Sequence, residues 1–439
     1  MERSAEQHVT TVVVGAGQAG LSTAYHLARR GQDFVILDAH DRVGDNWRSH
    51  WDSLRLYSPA MADSLPGMRF PAARSAYPTK DEMADYLEAY REHFDLPVRS
   101  GVRVSRVEAR GGGYAVTCSD GTVWSCDNVV VATGTFGRTP HVPAFAGELD
   151  PSIRQLHSSD YKRPAQLQPG PVLVVGASHS GGDIAYEAGE AGHPVVLSGH
   201  IHGEVPFRLE KPAARVAFPV LLFVARHLLT VRTPVGDKIR PQIRAHGGPL
   251  IRVKKSDLAR VGVEMAQERT EGVRDGKPVL ADGRVLDVAN VVWCTGFRQE
   301  FSWIDLPVVD EDGWPLERRG VVESAPGLYF VGLAFQFAFA SMLVAGAARD
   351  AACHGDYPGA SRGRAAARLV AAGDRGGARV GRTHAARLVR PRRQATRVGA
   401  GRVRGVGGER APAWRAGVGQ TSRGAARAGA ARRPPPYGR

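Results

Sequence analysis

Cysteine is scarce in this chain: four in 439 residues, at positions 118, 126, 294 and 353. No two form a Cys-x-x-Cys pair, which excludes an exchangeable dithiol and a zinc pattern. Scarce, unpaired thiols and the lack of a signal peptide point to a reducing, cytoplasmic setting. Long apolar runs are also missing. The longest, Val216 to Thr230, is broken by Pro219 and Arg226 and is too short to cross a bilayer. A buried helix is expected there, with a membrane-surface helix as the alternative. No Ser-His-Asp set or carboxylate pair has a convincing spacing, and no metal site is expected.

Lysine is absent from the last fifth of the chain. The formal charge is +14, but residues 352–439 hold 20 arginines against Asp356, Asp374 and Glu409. The body is left with 38 basic and 41 acidic residues, close to neutral. The basicity therefore does not describe the body, and no nucleic-acid partner is expected. The Arg-, Gly- and Ala-rich tail has poor apolar periodicity and reads as disordered. It resembles a GC-rich gene read out of frame; an arginine-rich binding arm is the alternative.

The chain is rich in glycine, and two of its glycine runs carry chemistry. The first is Val12-Val13-Val14-Gly15-Ala16-Gly17-Gln18-Ala19-Gly20, and the second is Val172-Leu173-Val174-Val175-Gly176-Ala177-Ser178-His179-Ser180-Gly181. Each lies between an apolar strand and a helix pattern. Gly15 permits the tight turn, Gly17 leaves room for a pyrophosphate, and Gly20 lets the helix pack on the strand. The helix N-terminus then offers free N–H groups to the anion. Phe34-Val35-Ile36-Leu37 ends in Asp38, 18 residues after Gly20, near the spacing of a ribose-binding carboxylate.

The second unit has Ser178 in place of the middle glycine, and its second strand, Val195-Val196-Leu197, ends in Ser198 rather than an acid. An acid would repel a 2′-phosphate; a serine does not. FAD is therefore expected on the first loop and NADPH, rather than NADH, on the second. Arg208 follows as a phosphate partner or, equally, an ordinary surface arginine; His200 and His202 are read first as ordinary residues, with a donor role as the alternative. Two dinucleotides on one chain suggest hydride transfer between them.

Elsewhere, Val102–Val104, Tyr114–Cys118 and Val123-Trp124 alternate as strands, with turns at Gly111–Gly113 and Ser119–Gly121. Two apolar strands end in Thr-Gly: Val129–Val131 before Thr133-Gly134, and Val291–Trp293 before Thr295-Gly296. These exits bracket the second loop, so the chain leaves a first domain, builds a second and returns. The expected fold is α/β, with two dinucleotide-binding Rossmann-like domains, the second inserted in the first. The expected boundaries are 1–165 and 288–351 for the FAD domain, 166–287 for the NADPH domain and 352–439 for the tail. Gly327–Gly332 reads as a last strand of the first domain. A helix from Ser341 to Ala351 follows it, its N-terminus aimed at the flavin ring.

Over residues 9–351 this order resembles the class B flavoprotein monooxygenases, which include flavin-containing, auxin-forming and Baeyer–Villiger enzymes. The resemblance rests on both glycine loops, Gly44-Asp45-Asn46-Trp47, Ala132-Thr133-Gly134, His157-Ser158-Ser159-Asp160-Tyr161 and Pro326 to Gly332. The family's linker fingerprint, F-x-G-x-x-x-H-x-x-x-(Y/F), survives only in His157 and Tyr161; Pro151 and Ile153 occupy the Phe and Gly positions. Tyr161 leans toward the N-oxidising or auxin-forming branches. Tyr57 stands where N-oxidising relatives carry asparagine, and Leu333 follows Gly332 where many flavin reductases carry an acid.

The resemblance implies an NADPH- and O2-dependent monooxygenase that oxygenates a small organic substrate through a C4a-(hydro)peroxyflavin. Gly15, Gly17, Gln18, Ala19, Gly20, Asp38, Thr133, Gly134 and Gly332 would serve FAD. Gly176, Ser178, Ser180, Gly181, Ser198, Arg208, Thr295 and Gly296 would serve NADPH and the return crossing. Asn46, Tyr57 and Ser58 are the candidate reaction-pocket residues. Trp47 is a flavin neighbour or a core aromatic, Gln336 is in reach of flavin or substrate, and His157 is a linker residue. Two alternatives stay open: a reductase or oxidase that oxygenates nothing, and a non-catalytic flavoprotein with a basic interaction tail. Oligomeric state is open. The tail's composition predicts no role in catalysis, so a chain ending at Ala352 is expected to keep its flavin absorbance and NADPH oxidation; loss of flavin on truncation would refute this.

Overall fold

A computed structural model of the protein describes residues 7–135, 139–245 and 247–354. The expectations for the tail therefore lie, beyond its first three residues, outside the described residues. The chain opens with β1 (Gln7–Val14), α1 (Gln18–Arg29) and β2 (Phe34–Leu37), then α2 (Asp45–Arg48) and α3 (Lys80–His93). Next come β3 (Val98–Arg99), β4 (Val104–Arg110), β5 (Gly113–Cys118), β6 (Val123–Val131) and the short β7 (Thr139–Pro140).

The strands from β1 to β6 form one sheet in the order β3-β2-β1-β6-β5-β4. Its β3-β2-β1-β6 part is parallel, and β4-β5-β6 is an antiparallel meander. Two segments expected as separate strands are one continuous β6. Its first half pairs with β5, and its second half pairs with the returning β16 (Leu328–Phe330). Alternation puts Val13, Ile36 and Val130 on the face covered by α1 and α3, and Val12, Val14, Val129 and Val131 on the other.

The second sheet uses β8 (Arg154–His157), β9 (Val172–Val175), β10 (Val195–Ser198), β11 (Glu264–Ala266) and β14 (Asn290–Trp293). All five are parallel, in the order β11-β10-β9-β14-β8. Helix α4 (His179–Glu190) follows β9, and α5 (Pro212–Phe223), α6 (Pro234–Ala245) and α7 (Lys255–Arg260) lie between β10 and β11. A hairpin, β12 (Thr270–Arg274) and β13 (Lys277–Leu280), precedes β14. Strands β9 and β14 are buried throughout; β9 is a continuous apolar run, and β14 is one after Asn290, whose buried side chain bonds the Gln168 backbone. The return passes through β15 (Phe297–Arg298), which pairs with β7, to β16 and α8 (Val344–His354).

Two expectations need correction. The segments 154–157 and 290–293, assigned to the first domain, pair within the second sheet. Apolar periodicity identifies a strand but not the sheet that accepts it. The run from Val216 is not a buried helix: α5 gives way to a π-turn at Val224–Leu228, with Val216 74% exposed and Val220 61% exposed. Phe218 and Ala225 face inward. No helix among the described residues is long and apolar enough to cross a membrane.

Helix α6 is held by charge. Arg240 and Arg244 each reach Glu317 at 3.3 Å, and the Glu317 side chain is 0% exposed. Arg244 also lies over the Trp314 ring, 4.2 Å from its centroid. Removing the acid would strand two guanidinium groups. Glu317→Ala is expected to cost about 3–5 kcal/mol, read as a fall in Tm; an unchanged Tm would show that α6 is anchored by other contacts.

Candidate active site

Both glycine loops open on one cleft of about 2210 Å³. A pocket for one drug-sized ligand holds roughly 300–1,000 Å³, so this cleft has room for more than one large molecule. The loops share one geometry. Gly15 has φ +106°, and its N–H donates to Leu37 O at 2.8 Å; Gly176 has φ +107°, and its N–H donates to Ser198 O at 2.9 Å. A Cβ on Gly20 would sit 1.9 Å from Gly15 O, and one on Gly181 would sit 1.8 Å from Gly176 O. These glycines let each helix press on its own turn. Gly17 differs: a Cβ there meets nothing within 4 Å. It borders the cleft, where an anion would approach the N-terminus of α1.

Of the residues expected to bind or react, the cleft is lined by Gly15, Gly17, Gln18, Ala19, Asp38, Asn46, Trp47, Tyr57, Ser58, Thr133, Gly134, Gly176, Ser178, Ser180, Ser198, Thr295, Gly296 and Gly332. Gly20 and Gly181 stand behind it as packing positions. Arg208 is elsewhere. It forks onto Asp257 at 2.9 and 3.0 Å and borders a separate depression with Tyr186 and Arg252.

Several side chains do different work from that expected. Ser178 Oγ turns away to Gly248 O at 3.0 Å, so the replacement does not crowd the loop mouth. The Ser198 hydroxyl is buried, bonded to Glu268 O at 3.1 Å and paired with Thr270 Oγ1 at 2.8 Å. Gln336 does not reach the cleft: it accepts from Gly332 N–H and donates to Phe330 O, bracing the end of β16. His157, expected as a linker residue, holds Gly296 O at 3.1 Å and Ser159 at 2.9 Å. The Tyr57 ring packs on His179, and its hydroxyl donates to Asp183 Oδ2 on α4 at 3.0 Å. Asp183 also takes Arg252 at 3.3 Å, which ties the 51–57 segment to the second sheet.

Asp38 is not free either. It accepts from Ala16 N–H at 2.5 Å and from His40 N–H at 2.8 Å. Burial pushes its pKa up, but the bonds from His40 and Ala16 outweigh this and hold the carboxyl below its usual range. It is therefore a carboxylate that fastens the first loop. Four unanticipated histidines line the cleft, His40, His50, His141 and His179; two of them, His50 and His179, are deeply buried. Burial lowers both to about 4, so they are neutral near pH 7. His50 sits edge-on between Trp47 and Trp51; its spacing of three residues from Trp47 was a readable signal. Arg269 also lines the cleft beside Ser198, Gly199 and His200 and has no side-chain partner among the described residues. Nothing near it in sequence points to the site.

The donor set suits a polar ligand. Thr133 Oγ1, Trp47 Nε1 and Trp51 Nε1 are buried, unpaired within the protein and on the cleft wall. Buried polar atoms without partners call for an explanation, and a polar ligand in the cleft would supply one. The described cysteines, 118, 126 and 294, are buried and free.

Residues 12–205 match the family model described as pyridine nucleotide-disulphide oxidoreductase. The chain is 37% identical over 347 residues to an uncharacterized CzcO-like oxidoreductase of Geobacillus kaustophilus, covering 79% of this chain and 97% of that one. It is 31% identical to YUCCA3 of Arabidopsis thaliana, a probable indole-3-pyruvate monooxygenase, covering 76% and 84% respectively. Among solved structures, a flavin-containing monooxygenase from Stenotrophomonas maltophilia superposes with TM-score 0.64 at 28% identity, covering 83% of this chain and 99% of that one.

The loop geometry separates two glycine roles. Gly17→Val is expected to fold with an unchanged Tm as apoprotein yet to purify without flavin, because only the ligand's space is filled. Gly20→Val is expected to lose soluble folded protein. A yellow Gly17→Val preparation would refute the role of the first loop.

Proposed function

Since the chain belongs to the class B flavoprotein monooxygenases, we propose that it binds FAD and NADPH and oxygenates a small organic substrate with O2. The observation that carries this reading is the meeting of two glycine loops on one cleft, walled by unpaired buried polar atoms. FAD fits the first loop, with Gly17 and the N-terminus of α1 against the pyrophosphate and Thr133, Trp47 and Trp51 on its polar edge. NADPH fits the second loop, at Gly176, Ala177 and the N-terminus of α4. FAD and NADPH, when bound there, would supply hydride transfer and oxygen activation. The chain's own part is to align the two rings, keep water out and move protons. Leu54, Leu56, Phe339 and Leu343 supply the apolar wall.

Cofactor preference is assigned to Arg269, with His200 and His202 beside it, in place of Ser198 and Arg208. Arg269 lines the cleft between Glu268 and Thr270, both bonded to Ser198 at the end of β10, and has no competing acid partner among the described residues. A guanidinium there would meet a 2′-phosphate directly. Tyr57 contributes its ring to the wall, while its hydroxyl is committed to Asp183. Asn46 keeps a free carboxamide toward the cleft. The buried, separate cysteines do not favour dithiol chemistry and suit work in the cytoplasm.

The decisive experiment uses purified protein, NADPH and labelled O2 across amines, sulfides, 2-oxo acids and ketones. The expected result is NADPH oxidation that rises with one substrate class, whose product carries one labelled oxygen. Peroxide equal to NADPH consumed, with no labelled product in any class, would overturn the reading in favour of an oxidase. Arg269→Ala is expected to raise KM for NADPH about tenfold or more, since a hydrogen bond to a charged group is worth ~1.5–3 kcal/mol, and to leave KM for NADH unchanged. Equal effects on both nicotinamides would remove Arg269 from the 2′-phosphate.

A further inference from the structure

A carboxyl group lies directly behind the cleft. Ser58 lines the cleft, and its Oγ is 2.5 Å from Asp63 Oδ1. The link is local: Pro59 starts a 3₁₀ turn over Ala60–Ala62, closed by Ala62 N–H to Pro59 O at 2.7 Å, which brings Asp63 back under Ser58. Asp63 is 0% exposed, and its other oxygen, Oδ2, is buried without a partner. Among the described residues no cation pairs with it. The titratable groups that face it are Tyr86 from α3 and Tyr77 from the preceding loop. The Tyr86 hydroxyl is already engaged with Leu65 N–H and Met68 O. On the other side, neighbouring Ala62 packs on Phe218 of α5 and Ala345 of α8; the cations there, Arg226 and Arg349, donate to Ala345 O and Arg226 O. Burial, only partly opposed by the Ser58 bond, raises Asp63 to about 7.

A serine has one proton to place. With Asp63 ionised, Ser58 spends that proton on the carboxylate and shows only lone pairs to the cleft. With Asp63 protonated, the carboxyl donates to Ser58 Oγ, and the serine proton is free to point inward. Resting on the monooxygenase reading, we infer that Asp63 is the proton store of this cleft and acts through Ser58. Ser58 is the catalytic donor to an oxygen that gains negative charge on a bound reactant, and Asp63 is its positioning residue. The Ser58 O–H bond breaks as the reactant O–H forms. The Asp63 O–H then breaks as the Ser58 O–H re-forms, leaving a carboxylate that water reprotonates between turnovers.

The test has two arms, applied to the full chain and to Asp63→Asn and Ser58→Ala. The first follows Tm against pH and needs no turnover. A carboxyl whose folded pKa lies above its unfolded value binds its proton more tightly when folded. Its stability contribution is therefore lost as pH rises from about 3.8 toward about 7. The Tm of wild type is expected to fall relative to Asp63→Asn across that window and to run parallel above it. Ser58→Ala, which keeps the carboxyl, is expected to retain a falling Tm. Coincident curves for wild type and Asp63→Asn would overturn the assignment.

The second arm follows turnover against pH. Wild type is expected to lose about tenfold per pH unit above the step, since one essential proton is involved. Both variants are expected to be flat there, with Ser58→Ala lower by ~10²-fold at pH 6. A step that survives in either variant would overturn the relay. An intact first arm with no NADPH oxidation at any pH would overturn the monooxygenase reading and, with it, the cleft-directed half of the inference.

Discussion

The fold depends on a contact between two backbones. In each lobe a glycine at the start of a helix lies against the carbonyl of the glycine that ended the strand, so close that a Cβ would come within 1.8 to 1.9 Å of it. That approach sets the helix axis against the strand and brings its free N–H groups to the loop mouth. The same turn touches the exit strand from its other side. Gly15 meets Ala132 O, and Gly176 meets Cys294 O. The Thr-Gly exits are therefore placed by the loops, and the cleft walls follow from the exits. Were either helix displaced outward, Thr133 and Thr295 would no longer share a cavity with Gly17 and Ser178.

Charge in the protein is spent mostly on holding this arrangement. Asp38 fastens the first loop through Ala16 N–H. Asp183 joins Tyr57 and Arg252 across the lobes. Nearby, the Tyr161 hydroxyl donates to Glu187, which also takes the Ser53 hydroxyl; burial raises Glu187 to about 7. Glu317 pins α6 through two arginines. Asp183 and Glu317 have arginine partners that explain their burial. Glu187 and Asp63 are held by hydroxyls alone, but Glu187 borders the separate depression, whereas Asp63 backs the cleft through Ser58, and that place makes it the acid available for proton chemistry. His50 and His179 do not take that part near pH 7, because burial keeps them neutral.

Much of the architecture was legible because local rules and tertiary packing agree. The two strand–loop–helix units, the meander and the last strand fall where periodicity and turn residues put them. Most residues chosen from motifs line the cleft, since loop, exit and aromatic turn are short segments whose backbone course the sequence dictates. The exceptions share a cause. Ser198, Gln336 and Arg208 were assigned by position along the chain, but a side chain's direction depends on partners far away. Glu268 and Thr270 draw Ser198 inward, Phe330 and Gly332 hold Gln336, and Asp257 holds Arg208.

The sequence by itself determined the element types, the two nucleotide loops and the family. Those rest on glycine geometry and apolar period, which act over a few residues. Only the tertiary structure decided which sheet takes the strands at 154–157 and 290–293, because a buried apolar strand can pair in either. It alone brought Arg269 to the end of β10, turned α5 partly to solvent and set Asp63 behind Ser58 with no ion-pair partner among the described residues. Burial and orientation are properties of the whole packed chain, and no local pattern encodes them.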